Sequence, residues 1–345
     1  MLPLLRIALV LLPTSVMAQT LVGTSLLSRT ALLEEFTAVH CGNCPASHTV
    51  ADALATTYAY DLTIIAVHGG PLASPGAGQP DLRSNAGTAL WSLFGVAFQP
   101  QGNISREGLT EVSDWSASVA SVLAMPSPAN IGVASHHDPN TSVLTVDVEV
   151  YYTGDGPVGE DRIHVALTED HIVAYQQDYV NGPHTTYDHR HVLRDFLTPL
   201  SGEPVTVTTP GTLVERSYSF TVPAGWDISE LDVVAFVAEA DGEVHQVRSV
   251  DADGGMTLST GALPEEHFGP GPAYPVPASD HLYLPLASGE AGQPLLLTDA
   301  WGRFLQPPRY TTSGSVLRLD VTDLAPGIYS IGFPGGRSRR IVVGH

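Results

Sequence analysis

Cys41 and Cys44 are the only cysteines in the chain, and they sit three apart in Thr37-Ala38-Val39-His40-Cys41-Gly42-Asn43-Cys44-Pro45. Such a pair has three uses: thiol–disulfide exchange, half of a zinc site, or a small structural staple. A zinc site needs about four Cys or His ligands. With no second cysteine pair, His40, His48 and His68 are the side chains that would complete one. A staple closing so short a loop contributes only about 2 kcal/mol, a weak reason to keep two cysteines in a chain otherwise free of them. Exchange requires a thiolate, and a thiol at a helix N-terminus is ionised more readily because free N–H groups and the macrodipole face it.

The flanking residues supply that setting. The apolar run Ala31-Leu32-Leu33-Glu34-Glu35-Phe36 reads as a buried strand, and Ala46 to Tyr60 reads as a helix. The cysteines therefore fall at a strand-to-helix turn, with Cys41 at the helix N-terminus. Pro45 stands where a missing N–H is tolerated. Glu35 lies six residues before Cys41 on the incoming strand.

A length of 345 residues exceeds one ordinary core and predicts two or three domains. The net charge of −21 comes from 36 acids against 15 bases, all of them arginine. A surface this acidic repels phosphate backbones and argues against nucleic-acid binding. Met1 to Ala18 reads as a secretory signal peptide: Arg6, then the apolar Ile7 to Leu12, then Val16-Met17-Ala18 before Gln19. Its apolar run is too short to span a bilayer. Export would place the cysteines in an oxidising compartment, where a disulfide is the default.

Strands and helices alternate from Leu21 to about Met125, which argues for an α/β layer. Leu62 to His68 is a β-branched central strand, Ser84 to Phe94 a helix ended by Gly95, Asn103 to Ser105 a short strand, and Val112 to Leu123 a closing helix. Pro126-Ser127-Pro128 reads as a linker. Period-two alternation follows in Val143 to Tyr152, Arg162 to Thr168, Val205 to Thr209, Ser217 to Val222 and Leu231 to Ala238, the pattern of a β-sandwich. Residues 261–273 form a second linker, and a third, all-β pattern occupies the rest. Residues 270–345 hold six Arg against five acids, so the acidity lies upstream.

At Glu35, Cys41, Cys44, Pro45 and Pro100 the sequence resembles the thioredoxin fold. The resemblance implies that Cys41 is the attacking thiol, Cys44 the resolving one and Glu35 a buried proton relay. It makes Pro100 a cis-proline facing the pair. Gly42-Asn43 between the cysteines, His40 before them and Gln101 after the proline depart from that family's usual residues. Leu32-Leu33-Glu34-Glu35-Phe36-Thr37 running into Cys41 to Pro45, and Tyr187-Asp188-His189-Arg190-His191-Val192-Leu193-Arg194 further on, resemble the outer-membrane-protein-28-related family of Bacteroidetes-type bacteria. That family implies a thioredoxin-like domain followed by an immunoglobulin-like one. Tyr274 to Asp280, Thr298 to Arg303, Leu319 to Tyr329 and Arg339 to Val343 are similar to a type IX secretion sorting domain.

His184, His189 and His191, and the pair His136-His137, are a metal-binding alternative, since His-x-His on one strand puts both rings on one face. The commoner meaning is half-exposed loop or strand residues, with Arg190 and Arg194 in ion pairs with Asp188 and Asp195. The expected architecture is a signal peptide (1–18), an α/β thioredoxin-like domain (19–125), an all-β immunoglobulin-like sandwich (129–260), a linker (261–273) and a small all-β sorting domain (274–345). The expected activity is thiol–disulfide exchange through Cys41 and Cys44, with Glu35 and Pro100 in support and with no cofactor or metal. Its partners would be exported protein thiols or disulfides and the type IX secretion machinery, at the cell surface or outer membrane. The alternative is a non-enzymatic surface or adhesion protein with a structural disulfide.

Overall fold

In the computed structural model, which describes residues 21–154, 156, 160–240, 242–257, 278–286, 295–299, 304–313, 316–332 and 338–344, the apolar run before the cysteines forms β1 (Ala31–Thr37), buried along its whole length. Helix α1 (Cys44–Tyr58) follows, starting at the second cysteine, two residues earlier than the sequence pattern suggests. β2 (Leu62–His68) lies parallel to β1, with Ala31 opposite Leu62 and Thr37 opposite His68. Helix α2 (Asn85–Leu93) is capped by Ser84, whose hydroxyl accepts the Gly87 N–H at 2.9 Å. Gly95, at φ 62°, takes the left-handed turn that ends it. β3 (Gln101–Ile104) returns antiparallel on the other edge of β1. β4 (Leu109–Thr110) pairs with β3, and α3 (Trp115–Leu123) closes this part.

The middle of the chain is all β: β5 (Ala129–Asp138), β6 (Val143–Tyr152), β7 (Asp161–Glu169), β8 (Ile172–Gln176), β9 (His184–His189), β10 (Val192–Phe196), β11 (Glu203–Val205), β12 (Leu213–Thr221), β13 (Leu231–Glu239) and β14 (Val244–Asp251). The strand expected at Val205 to Thr209 retains only its first residue, at the end of β11. In β6 the period-two pattern becomes burial of Leu144, Val146, Val148, Val150 and Tyr152 on one face. That face packs with Ile163, Val165 and Leu167 of β7 and Val233 and Ala235 of β13, so the β12-β6-β5 sheet stacks on a second sheet.

The second sheet does not stop at Pro126-Ser127-Pro128. It has nine strands in the order β14-β13-β7-β10-β2-β1-β3-β4, with β11 on β7. β10 joins the two halves, lying parallel to β2 and antiparallel to β7. β7 is therefore buried on both faces, one in the sandwich core and the other, through Ala166, in a core shared with Leu32, Phe36, Ile65, Val67, Leu90 and Phe236. The segment before β1 also crosses the halves: Thr30 Oγ1 donates to Val247 O at 2.6 Å, and Thr30 N–H to Gln246 Oε1 at 2.7 Å.

Among the described residues seven further strands follow: β15 (His281–Pro285), β16 (Leu296–Asp299), β17 (Phe304–Leu305), β18 (Tyr310–Ser313), β19 (Val316–Asp320), β20 (Gly327–Gly332) and β21 (Ser338–Val343). They form sheets β15-β19-β18 and β17-β16-β20-β21 around a core drawn from residues 278–343. The signal peptide, the linker and Tyr274 to Pro277 lie outside the described residues. Among the described residues no helix is long and apolar enough to cross a membrane. The molecule is β-rich, with few helices and several sheets.

Candidate functional site

After β1 the chain folds through two tight turns. Cys41 N–H donates to Ala38 O at 3.0 Å, and Cys44 N–H to Cys41 O at 3.2 Å. These turns bring Cys44 to the start of α1 with Pro45 beside it. The two sulfurs are joined, with S–S 2.04 Å and Cα–Cα 5.4 Å. Among the described residues no group of three or more His, Cys, Asp or Glu is placed to hold a metal.

A Cys41 that attacks from the helix N-terminus, as the resemblance implies, would be open to solvent. Instead Cys41 is only 4% exposed and Cys44 is wholly buried. The cover comes from far along the chain, in the residues at and just after the end of β8. Gln177 N–H donates to Val39 O at 2.8 Å and Tyr179 N–H to Gly42 O at 2.9 Å. The Gln176 side-chain amide donates to Cys41 O at 3.0 Å and Ala38 O at 3.2 Å. The Tyr179 ring lies directly on Gly42, where a Cβ would come within 2.3 Å of it. Ala73 packs beneath, with Ala38 and both cysteines.

Neighbouring side chains on a strand point to opposite faces, and both glutamates of β1 are buried. Glu34 is met by the Arg106 guanidinium, Nη2 to Oε1 at 2.8 Å and Nε to Oε2 at 3.1 Å. Glu35 faces α1 instead. Ser47 Oγ donates to its Oε1 at 2.7 Å, and His48 Nε2 stands 3.9 Å away. Burial pushes the Glu35 carboxyl up to about 7; the Ser47 hydrogen bond pulls it back a little and the charge of Asp52 adds to the rise. Ser47 also bonds Cys44 O at 2.8 Å, which ties the carboxyl to the first turn of the helix.

Beside Glu35 lies a cluster of rings. His48 Nε2 bonds Thr37 Oγ1 at 2.8 Å and its Nδ1 bonds Tyr187 Oη at 2.9 Å. His189 of β9 stands with ring centroids 5.2 Å from His68, 6.5 Å from His48 and 4.9 Å from Tyr187. Burial, with the neighbouring imidazoles adding, lowers His48 to about 3 and holds His68 well below its ordinary value. Burial likewise lowers His189 to about 4, against small opposing effects from Tyr175 O and Asp188.

The Gln99–Pro100 peptide is cis, the geometry the sequence reading expects. β3 begins at the next residue, with Gln101 opposite Phe36. Pro100 therefore sits at the end of β1 from which the cysteine turn leaves. The histidine motif is divided: His189 is buried, whereas His191 takes φ 54° beyond the strand and its Nδ1 lies 3.3 Å from Asp170. The two rings do not share a strand face. Arg190 meets Asp188 at 3.2 Å as expected, but Arg194 reaches Glu169 at 3.1 Å rather than Asp195.

Sequence reasoning missed Ser47, His48 as a partner of Glu35, Tyr187, and the cover at Gln176 to Tyr179. Ser47 and His48 had a signal: they stand three and four residues after Cys44, one helical turn on. Tyr187 had one only as the first residue of the Tyr187 to Arg194 motif, which does not say what it touches, and Tyr179 had none; the approach of both is set by tertiary structure across more than a hundred residues.

Residues 87–253 match the family described as Outer membrane protein Omp28. That span runs from α2 through β14 and includes Pro100, the cover and Tyr187; Glu35 and both cysteines precede it. Among solved structures the chain is similar to HBP35 of Porphyromonas gingivalis, with TM-score 0.55 and 16% identity over 92% of this chain and 98% of that one. A protein from Agrobacterium tumefaciens aligns at TM-score 0.41 and 15% identity over 70% and 99% of the two chains. A domain of the outer membrane lipoprotein Omp28 from Porphyromonas gingivalis aligns at TM-score 0.26 and 20% identity over 37% and 89%. No curated protein matches the chain. The likeness to HBP35 is one of fold. The Omp28 match covers residues 87–253, just under half of this β-rich chain.

Proposed function

We propose that this chain is a surface or outer-membrane-associated protein of the Omp28-related kind, in which a thioredoxin-like unit exchanges disulfides with exported polypeptides through Cys41 and Cys44. The order β1-α1-β2-α2-β3-β4-α3 supports that unit, with β1 between a parallel β2 and an antiparallel β3. The observation that carries the reading is Glu35: a buried carboxyl held near neutral pH and tied through Ser47 to the turn bearing Cys44. A general acid near its working pH serves a leaving thiolate well. Cys41 takes the incoming thiol, Cys44 leaves and is protonated from Glu35, and Pro100 borders the site. Residues 274–345 act as the type IX sorting tail, a role supported by their self-contained core.

A second reading has its own support. With Cys41 4% exposed beneath Gln177 and Tyr179, the disulfide is also suited to be a static staple in a surface or adhesion protein. Trapping separates the two readings. Cys44→Ser is expected to accumulate mixed disulfides with exported proteins through Cys41, and Cys41→Ser to accumulate none. If Cys44→Ser traps nothing and glutathione leaves the wild-type disulfide intact, the staple is the right reading.

A further inference from the structure

A buried carboxyl that gains and loses a proton needs a route to water. Two polar side chains stand against Glu35. Ser47 leads nowhere, because its other bond ends on the Cys44 carbonyl oxygen at 2.8 Å, which carries no proton. His48 leads outward. Its Nε2 is 3.9 Å from Glu35 Oε1 and 2.8 Å from Thr37 Oγ1, and the opposite ring nitrogen is 2.9 Å from Tyr187 Oη. Tyr187 stands half-buried on β9, at the edge of the site.

We infer that His48 and Tyr187 form the proton path between Glu35 and solvent, so that the β8–β9 hairpin supplies a working part of the cysteine site. The use made of that proton rests on the thiol-exchange reading; the path itself does not. In exchange, a dithiol polypeptide attacks Cys41 Sγ, the Cys41–Cys44 bond breaks, and the Cys44 thiolate takes the Glu35 proton. The second substrate thiol then displaces Cys41, leaving the substrate oxidised to a disulfide and both cysteines reduced. Once the His48 ring turns from Thr37 Oγ1 to close the 3.9 Å to Glu35 Oε1, Glu35 recovers its proton from Nε2–H as Nδ1 takes the Tyr187 hydroxyl proton, and water returns one to Tyr187. The ring is neutral before and after, and the reverse half-reaction resets its tautomer.

The surroundings keep this path neutral. Burial and the facing His189 ring hold His48 to about 3, and burial holds His189 to about 4. His68 also faces them, and burial with those two rings holds it well below its ordinary value. Burial, with the facing charges of Asp52 on α1, Glu35, Asp178 and Asp188 adding, pushes the Tyr187 phenol up to about 12. Of the groups with these shifts, Glu35 is the one held near neutrality.

The test follows Glu35 itself in the full chain. Its protonated carboxyl gives an infrared band assigned by its loss in Glu35→Gln. A laser-triggered proton release from pH 8 to pH 6 then times its protonation. Tyr187→Phe removes one hydroxyl and keeps the ring. It is expected to leave the midpoint near 7 and to slow protonation by at least about a hundredfold, the lower end of what a positioned proton-transfer group contributes. His48→Gln, which keeps a polar side chain, is expected to slow it as much, and the double variant no further. An unchanged rate in Tyr187→Phe overturns the path, as does a wild-type chain with no protonated Glu35 at pH 6. A slowed rate in a chain that traps no mixed disulfides upholds the path and removes the exchange reading alone.

Discussion

Glu34 and Glu35 are adjacent on one buried strand, yet they deal with burial in opposite ways. Glu34 is paired with Arg106, whose guanidinium carbon lies 5.5 Å from the Phe94 ring centroid and 4.8 Å from that of Phe236. Glu35 has a hydroxyl and an imidazole for company and keeps its proton to about pH 7 instead. The folded state therefore holds this proton more tightly than the unfolded chain, whose carboxyl titrates near 4.5. The stability Glu35 contributes is complete below about pH 4.5 and is lost as pH rises to 7. A difference of that size amounts to about 3 kcal/mol. Glu35→Gln, which cannot ionise, should raise the unfolding free energy of the full chain in urea titrations at pH 8 by up to that amount and leave it nearly unchanged at pH 4. An equal shift at both pH values would mean that Glu35 is ionised in the fold.

The β8–β9 hairpin is the element that turns a helix-end disulfide into an enclosed site. Gln176 to Tyr179 cover the cysteines while Tyr187 and His189 press on His48 and His68 from the side. The histidines at this contact are held below their ordinary value of 6.5, so the folded state resists protons that the unfolded chain accepts. Their contribution is present above pH 6.5 and fades as pH falls toward 4 and 3. The urea midpoint should therefore drop on acidification from pH 6.5 to 4, and His189→Asn should make that drop shallower. Comparing the variant with wild type at each pH cancels the opposite slope from Glu35. Little of this element was legible in the sequence. Ile172-Val173-Ala174-Tyr175-Gln176 is short and only partly apolar, and Tyr187 to His191 reads as a polar motif. β1 and β2 were legible within a residue because both faces of each are covered, which leaves a continuous apolar run. Cys41, Cys44 and Glu35 were legible for the same local reason. Their partners on the hairpin were not, because nothing local to residues 172–191 requires the hairpin to close over residue 42.

Across the whole molecule, continuity of the nine-stranded sheet decides which pieces stand alone. Phe36, Val67 and Leu90 are buried against Leu193, Val234, Phe236 and Val247, all from beyond residue 126. Cutting the chain at the Pro126–Pro128 stretch would strip one face of β1 and β2 bare and leave β2 as an open sheet edge. The strands from β15 onward differ, since among the described residues their core is made only of residues 278–343. Two truncations test this contrast. Residues 19–257 should fold with a cooperative urea transition and an intact Cys41–Cys44 disulfide, whereas residues 19–125 should aggregate or stay unfolded. If the sorting assignment for residues 274–345 is right, cells making residues 1–257 should also retain a folded protein that no longer reaches the surface, as read by fractionation and surface labelling. A folded, monomeric 19–125 would show that the shared core is dispensable, and a 1–257 chain displayed as well as the full one would remove the sorting tail.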